Sequence, residues 1–294
     1  MSRFALIVPH YGSDHAAIDF INDFECYSRS SFTLVFVSNQ PISKELRLYC
    51  KSIPRLRLLE ELKPGSYFAR NYAIKQCGLE YELLCFTDSD CVLRENYYSS
   101  VESNSSKIID QYLVAGDISI YDATGDANSW VLSYEKIFEF DQKWTTSKKG
   151  GVTANLIVNP NLFNEVGLFN DDLKSGADNA FCKHAAENHH KVVFMPEILI
   201  KHPSRGTLKD LIYKSRRTYG GWYQLLGFKS GNIFTKIYSV IYIIRPPIKP
   251  LYRIIKHQTT TTSEKIRAVI ILIILRVARV IEHFRLLFGH SSLR

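Results

Sequence analysis

Acidic side chains are scarce in residues 201–294, where Asp210, Glu264 and Glu282 stand against 18 of the chain's 37 lysines and arginines. Residues 1–200 hold the other 19 bases and 26 acids, a net charge of −7. A basic region on an acidic body predicts a polyanionic partner surface. The sequence also lacks an apolar run of the ~20 residues a spanning helix needs; Ala268 to Leu275 is among the longest near the C-terminus. None of the six cysteines forms a Cys-x-x-Cys pair, so they read as buried or incidental thiols of a reducing compartment. Met1 to Pro9 runs straight into a strand pattern without the charged and apolar stretches of a targeting segment, and a cytoplasmic location is expected. Internal repeats are missing, and Thr259 to Thr262, a linker candidate, is the sole low-complexity tract. With 46% hydrophobic and 22% charged residues over 294 positions, disordered and collagen-like classes are excluded.

Between the C-terminal bases lie Ile233, Phe234, Ile237, Tyr238, Ile241 and Tyr242, a composition that favours anionic lipid over nucleic acid as the polyanion. On a helical projection Lys265, Arg276, Arg279 and His283 share a narrow face, with Ile270, Ile271, Ile274, Val277 and Ile281 on much of the rest. This predicts a helix lying in a headgroup layer, peripheral to the inner face of the plasma membrane. The alternative is that these helices pack on the body with their charges in water.

The N-terminal part alternates short apolar runs with helix-length segments. Phe4–Val8, Phe32–Val37, Leu56–Leu59 and Leu83–Thr87 read as strands of a parallel sheet. Ligands of such sheets bind at the carboxyl ends of the strands, so Pro9-His-Tyr11, Ser38-Asn39 and Asp88-Ser-Asp90 are expected to line one crevice. Residues 64–75 read as a helix capped by Ser66, with Ala69, Ala73 and Ile74 toward the sheet and Arg70 and Asn71 near its positive end, which suits a phosphate. Further on, the pattern predicts a strand at 112–117, a helix at 128–142, a mobile segment at 148–151 and a β-rich stretch at 152–159. Helices at 160–166 and 178–188 and strands at 191–195 and 198–202 follow. From Thr207 the pattern is helical, broken at Pro246-Pro247 and Pro250.

Two aspartates one residue apart after a strand can hold a divalent cation through hard oxygen ligands while leaving places for substrate phosphates. Phosphatases of the haloacid dehalogenase type also place Asp-x-Asp after a strand, but after their first, whereas Asp88-Ser-Asp90 ends the fourth run here and continues into Cys91-Val92.

With these residues assembled, the chain over roughly 4–225 resembles the family 2 glycosyltransferases of GT-A fold. The resemblance rests on Ile7-Val-Pro-His-Tyr11, on Gly65-Ser-Tyr-Phe-Ala-Arg-Asn71, on Phe86-Thr-Asp-Ser-Asp90, on Ala154-Asn155 through Val166-Gly-Leu-Phe169, and on Ser175-Gly-Ala-Asp178, in that order. It implies an α/β fold with a mixed sheet and flanking helices: residues 1–225 form the transferase domain, nucleotide-sugar-binding in 1–110 and acceptor-binding in 111–225, and 226–294 form a basic helical region. It further implies that Pro9 and Tyr11 border the nucleotide base, that Arg70 contacts nucleotide or phosphates, and that Asp88 contacts ribose or donor sugar. By the same resemblance Asp90 coordinates Mn²⁺ or Mg²⁺, His202 completes the metal or diphosphate site, and Asp178 is the catalytic base. Two positions depart from the family. Val37-Ser-Asn-Gln-Pro-Ile42 lacks the family's acidic base-reading residue, leaving Asn39 as its substitute and the nucleotide open, and Ala177 stands where many relatives carry Glu. The resemblance implies an inverting enzyme that transfers sugar from a nucleoside-diphosphate sugar to a glycan or lipid-linked acceptor in surface polysaccharide or glycolipid synthesis. A nucleotidyltransferase of related sheet is the nearest competing enzyme, although no Gly-rich pyrophosphorylase loop follows the first strand. A degenerate, non-catalytic membrane partner is the third reading, against which Asp88, Asp90 and Asp178 together weigh.

Overall fold

In the computed structural model residues 3–123, 125, 128–258 and 260–293 are described; the chain start at Met1 and Thr259 of the linker candidate lie outside them. The alternation of the sequence becomes β1 (Phe4–His10), α1 (Asp14–Tyr27), β2 (Phe32–Ser38), α2 (Lys44–Lys51), β3 (Leu56–Glu60), α3 (Ser66–Cys77) and β4 (Leu83–Phe86). There follow α4 (Glu95–Ser103), α5 (Ser105–Gln111), β5 (Leu113–Tyr121), α6 (Ser129–Phe138), α7 (Gln142–Thr146), β6 (Leu156–Val158), α8 (Asn161–Val166), α9 (Ala177–Glu187) and β7 (Val193–Pro203). The remainder is helical: α10 (Leu208–Leu225), α11 (Ile233–Ile244), α12 (Ile248–Lys256) and α13 (Thr262–Leu287).

The strands form one sheet in the order β3-β2-β1-β4-β6-β5-β7. β1 to β4 run parallel, while β6 is antiparallel to both β4 and β5. Every residue of β1, β2 and β4 is buried, which is why these strands read as unbroken apolar runs and not as alternations. Phe4, Leu6, Val8, Phe32, Leu34 and Phe36 pack with Phe20, Ile21 and Phe24 of α1; each such side chain contributes about 1.5–3 kcal/mol on leaving water. The register sets the edge that matters: His10 pairs with Ser38 and Ile7 with Phe86. β4 therefore ends three residues short of β1, and Thr87 continues beside it by donating its N–H to Ile7 O.

Several expectations are revised. Ser66 is the first helical residue of α3 and not its cap; Gly65, at φ 139°, takes the cap position without a side-chain bond. The helix expected over 128–142 is two, α6 and α7. Phe140 breaks them at φ 51°, and Asp141 caps the second by accepting from Trp144 N. The two strands expected around Pro196 are one, because β7 is an edge strand, where proline's missing N–H costs no ladder bond. Gly150 and Gly151, in the segment expected to be mobile, are buried, and Gly150 donates to Thr145 O.

The described residues gather into two compact units. The first comprises those within 3–119, 140–171 and 177–202, and the second those within 120–139, 172–176 and 203–293. In the second, α13 packs against α6, α10, α11 and α12. Val131, Tyr134, Ile137, Leu211, Ile254, Ala268, Ile271, Leu272 and Leu275 form its core. Pro250 is accommodated in the first turn of α12, where its missing N–H has no helical acceptor to lose. The basic face read from the projection of α13 does not point outward. Arg276 donates to Ile243 O (2.7 Å) at the C-terminus of α11, Arg279 to Ser215 Oγ (2.7 Å), and Lys265 to Ile255 O (2.8 Å). His283 is fully buried against Tyr219 Oη at 2.8 Å. Neighbouring helices end on this side of α13 and offer carbonyls, which attract cations. No helix among the described residues is long and apolar enough to cross a membrane.

Asn155, just before β6, clamps the far strands by donating from Nδ2 to Asp117 O (2.8 Å) and Ile198 O (2.9 Å). Gly116 makes room for it: a Cβ there would lie 2.3 Å from Asn155 Nδ2 and 2.4 Å from Ile198 O. Gly116→Ala should therefore cost about 1–3 kcal/mol, the usual range for overpacking, and lower the melting temperature in a thermal scan by several degrees.

Candidate active site

The loops after β1, β2 and β4 meet at the carboxyl edge of the sheet. His10 is buried, with Nε2 3.2 Å from Ser13 O and Nδ1 3.0 Å from Ser89 Oγ. A carbonyl oxygen only accepts, so Nε2 carries the proton, Nδ1 accepts, and the Ser89 hydroxyl donates. Burial lowers the His10 pKa, which keeps this neutral tautomer in place. His10 thus holds the middle residue of Asp88-Ser-Asp90. Asn39 follows β2 and donates from Nδ2 to Glu61 O (2.6 Å) and Lys63 O (2.8 Å), while its Oδ1 accepts from Gly65 N (2.7 Å). Both donor hydrogens of the amide are spent on the loop that opens α3, so Asn39 clasps that loop instead of presenting donors to a base edge. Pro9 is buried inside β1 opposite Val37, and Tyr11, 78% exposed, stands open at the strand's end.

α3 supplies the buried charge. The Arg70 side chain is 2% exposed and ion-paired through Nη2 to Asp88 Oδ1, and its Nε–H has no protein partner. Asn71, beside it, is a clasp: it donates to Phe169 O (2.8 Å) and Asp171 Oδ2 (3.2 Å) and accepts from Phe169 N (3.2 Å). Asp90 points another way. Its side chain is 58% exposed, and Oδ1 lies 3.6 Å from Nε2 of the buried His202. A backbone bridge between Val92 and Lys201 brings the two segments together. The ring of Phe140 lies 4.2 Å from the imidazole of His202, centroid to centroid, and orients it. Cys91 completes a trio whose ligand-capable atoms lie within 4.8 Å of one another. Burial, then the charges of Asp88 and Asp90, push the Cys91 thiol well above its ordinary value, and its Sγ faces Asp90 Oδ1 at 3.9 Å as a weak donor. A soft sulfur suits Mn²⁺ or Mg²⁺ poorly, so the exposed carboxylate and the imidazole are the part of the trio that fits such an ion, with coordination positions left for phosphate oxygens and water.

Asp178 is buried at the start of α9 and fully hydrogen-bonded. Oδ1 accepts from Tyr67 Oη (3.1 Å) and Asn179 N (2.9 Å), and Oδ2 from Thr153 N (3.0 Å) and Thr153 Oγ1 (3.3 Å). Burial, reinforced by the Asp178 charge, pushes the Tyr67 phenol far above its ordinary value, so it remains a donor. Tyr67 and Arg70 lie one turn apart on α3, the guanidinium 5.8 Å from the phenol ring. One helix thus anchors both Asp88 and Asp178.

The structure joins Arg70 with Asp88 and Asp90 with His202. Sequence reading put His10 in the crevice without a role for it and missed Tyr67, Phe140 and Thr153. His10 and Tyr67 lie inside the quoted motifs, and a buried polar residue at a strand end was the available signal. Nothing in the spacing links Tyr67 to Asp178, 111 positions away.

No known family model matches the chain. Glycosyltransferase AglE of Haloferax volcanii is 28% identical over 208 residues, 68% of this chain and 66% of its own length. Mannosyltransferase PcManGT from Pyrobaculum calidifontis, solved with GDP-Man and Mn²⁺, superposes with a TM-score of 0.57 at 14% identity, covering 96% of this chain and 87% of its own. Residues 1–349 of TarS from S. aureus give a TM-score of 0.51 at 15% identity, covering 97% of this chain and 90% of that one. The mixed seven-stranded sheet with flanking helices is the α/β fold of the GT-A glycosyltransferases.

Asn39→Asp keeps the oxygen that accepts from Gly65 but turns a second oxygen toward the carbonyls of Glu61 and Lys63. The nucleotide-free variant should melt below wild type and be cleaved faster at residues 61–66 in limited proteolysis. A residue serving only to read a base would leave both unchanged.

Proposed function

We propose that the protein is an inverting glycosyltransferase that moves a sugar from a nucleoside-diphosphate sugar to a hydroxyl of a glycan or lipid-linked acceptor, in surface polysaccharide or glycolipid synthesis. The observation that carries this reading is the pairing of the open Asp90 carboxylate with the buried His202 at the strand edge, beside the Arg70–Asp88 ion pair. The likeness to PcManGT, solved with GDP-Man and Mn²⁺, and to TarS, also solved with UDP-GlcNAc, supports a nucleotide-sugar donor and a divalent cation for this chain.

Asp90 and His202 are the residues that would hold Mn²⁺ or Mg²⁺, whose charge would neutralise the departing diphosphate. Tyr11 flanks the base as an open ring. Arg70 acts in two ways, fixing Asp88 for a ribose or sugar hydroxyl and offering Nε–H to the donor. Asn39 acts on the nucleotide indirectly, through the loop it clasps. Asp178 takes the proton of the acceptor hydroxyl as that oxygen bonds to the anomeric carbon, while the bond from that carbon to the diphosphate oxygen breaks on the opposite face. For this, one carboxylate oxygen exchanges the hydroxyl of Tyr67 or Thr153 for that of the acceptor. The protein donors around Asp178 then orient it.

Asp178→Asn should lose roughly 10²–10⁴ of turnover, the usual worth of a positioned base, with donor affinity little changed. Near-normal turnover would remove Asp178 from the reaction. Separately, release of nucleoside diphosphate from UDP-, GDP- and dTDP-sugars should require added Mn²⁺ or Mg²⁺ and cease with EDTA. Asp90→Ala and His202→Ala should raise the metal concentration needed for half-maximal rate, and full activity of both in EDTA would sink the metal assignment.

A further inference from the structure

The second unit leaves an unusual amount of apolar surface open. On α11, Ile233, Phe234, Ile237, Tyr238, Ile241 and Ile244 are all exposed by more than half and fall on one side of the helix. On α12, Ile248, Tyr252 and Ile255 form a stripe, exposed by 61–71%. On α13, Ile266, Ile270, Ile273, Val277, Ile281 and Phe284 form a narrow outward stripe along the whole helix. Monomeric proteins rarely leave contiguous apolar surface of this kind uncovered.

The charges on this part of the chain decide what covers it. Glu264 and Glu282 are the only acids after residue 225. Glu282 is buried between Arg216 and Arg285, and Glu264 is tied to Lys136 and to the N-terminus of α13. Arg245, Lys249 and Lys256 are exposed, with Lys249 and Lys256 along one border of the α12 stripe. Arg245 lies 4.0 Å over the Tyr242 ring and Lys256 5.9 Å over that of Tyr252, pairs of the kind that sit where hydrocarbon meets water. An isologous second copy would bring these same cations together, whereas lipid phosphates complement them.

We propose that the outward apolar stripes of α11, α12 and α13, bordered by Arg245, Lys249 and Lys256, form a docking face for an anionic lipid surface. Isoleucines enter the acyl boundary, whereas Arg276, Arg279 and His283, read from the sequence as an outward basic face, hold the helices together from within. This inference is independent of the transfer reaction.

The test is flotation of the full-length protein with phosphatidylcholine vesicles, and with vesicles containing about one third phosphatidylglycerol. Wild type should float with the anionic vesicles and about tenfold less with the neutral ones. The double variant Ile241→Glu/Ile273→Glu should float with neither, and Lys249→Ser/Lys256→Ser should lose the anionic preference, all with unchanged melting temperature. Wild type left in solution with anionic vesicles, or glutamate variants that float like wild type, would overturn the proposal. So would a lipid-free dimer that the glutamate variants dissociate without change in flotation, which would make the face an interface between copies. Flotation as expected from a protein that releases no nucleoside diphosphate would uphold the lipid face while the transferase reading failed.

Discussion

A guanidinium cannot give up its proton inside a protein, so the buried side chain of Arg70 has to be matched where it lies. Its match is Asp88, the first residue of the turn that follows β4, and that single requirement ties α3 to the carboxyl edge of the sheet. With Asp88 held from below and Ser89 held by His10, Asp90 is left pointing toward solvent and His202. The far end of the same helix turn reaches Asp178 through Tyr67. Asp88 and Asp178 are therefore both positioned by one helix, and Asn39 in turn secures the loop from which that helix starts.

Burial sorts the candidate ligands around Asp90. Cys91 lies close enough to count, but sulfur is a soft ligand that suits Mn²⁺ or Mg²⁺ poorly, whereas the imidazole of His202 lies under the ring of Phe140. The left-handed backbone of Phe140, which ends the helix before α7, gains a purpose from that contact. Asp178 differs from Asp90 in burial: it is buried among four protein donors, whereas the Asp90 side chain is 58% exposed. That contrast supports a metal role for the one and a proton role for the other.

In the second unit the same need to match charge governs the helices. Arg216 and Arg285 converge on Glu282, Arg205 on Glu135, and Lys214 on Glu139, so much of the basic excess is consumed internally. A helical projection of α13 groups its basic residues correctly but turns them outward and counts the core residue Ile271 with the open Ile270, Val277 and Ile281, because a projection holds no information about which neighbours arrive. The carbonyls ending α11 and the hydroxyl of Ser215, which receive Arg276 and Arg279, come from distant parts of the chain.

The sequence by itself determined the parallel strands β1 to β4, the helix α3 with Ala69, Ala73 and Ile74 toward the sheet, and the place of Asp88-Ser-Asp90 just past a strand end. Those features follow from local periodicity and from the rule that strand ends meet along one edge, and both are written in neighbouring residues. The same locality explains where reading failed: Ser66 looked like a cap, and residues 196–197 like a gap between two strands, until Gly65 and the edge position of β7 were seen. Only the tertiary structure decided that Asn39 spends its donors on a loop, that Tyr67 and Thr153 surround Asp178, and that Phe140 backs His202. It also decided which face of α13 is open. Such pairings join segments far apart in the chain, and they exist only once packing has removed water and left each buried polar group to find a partner.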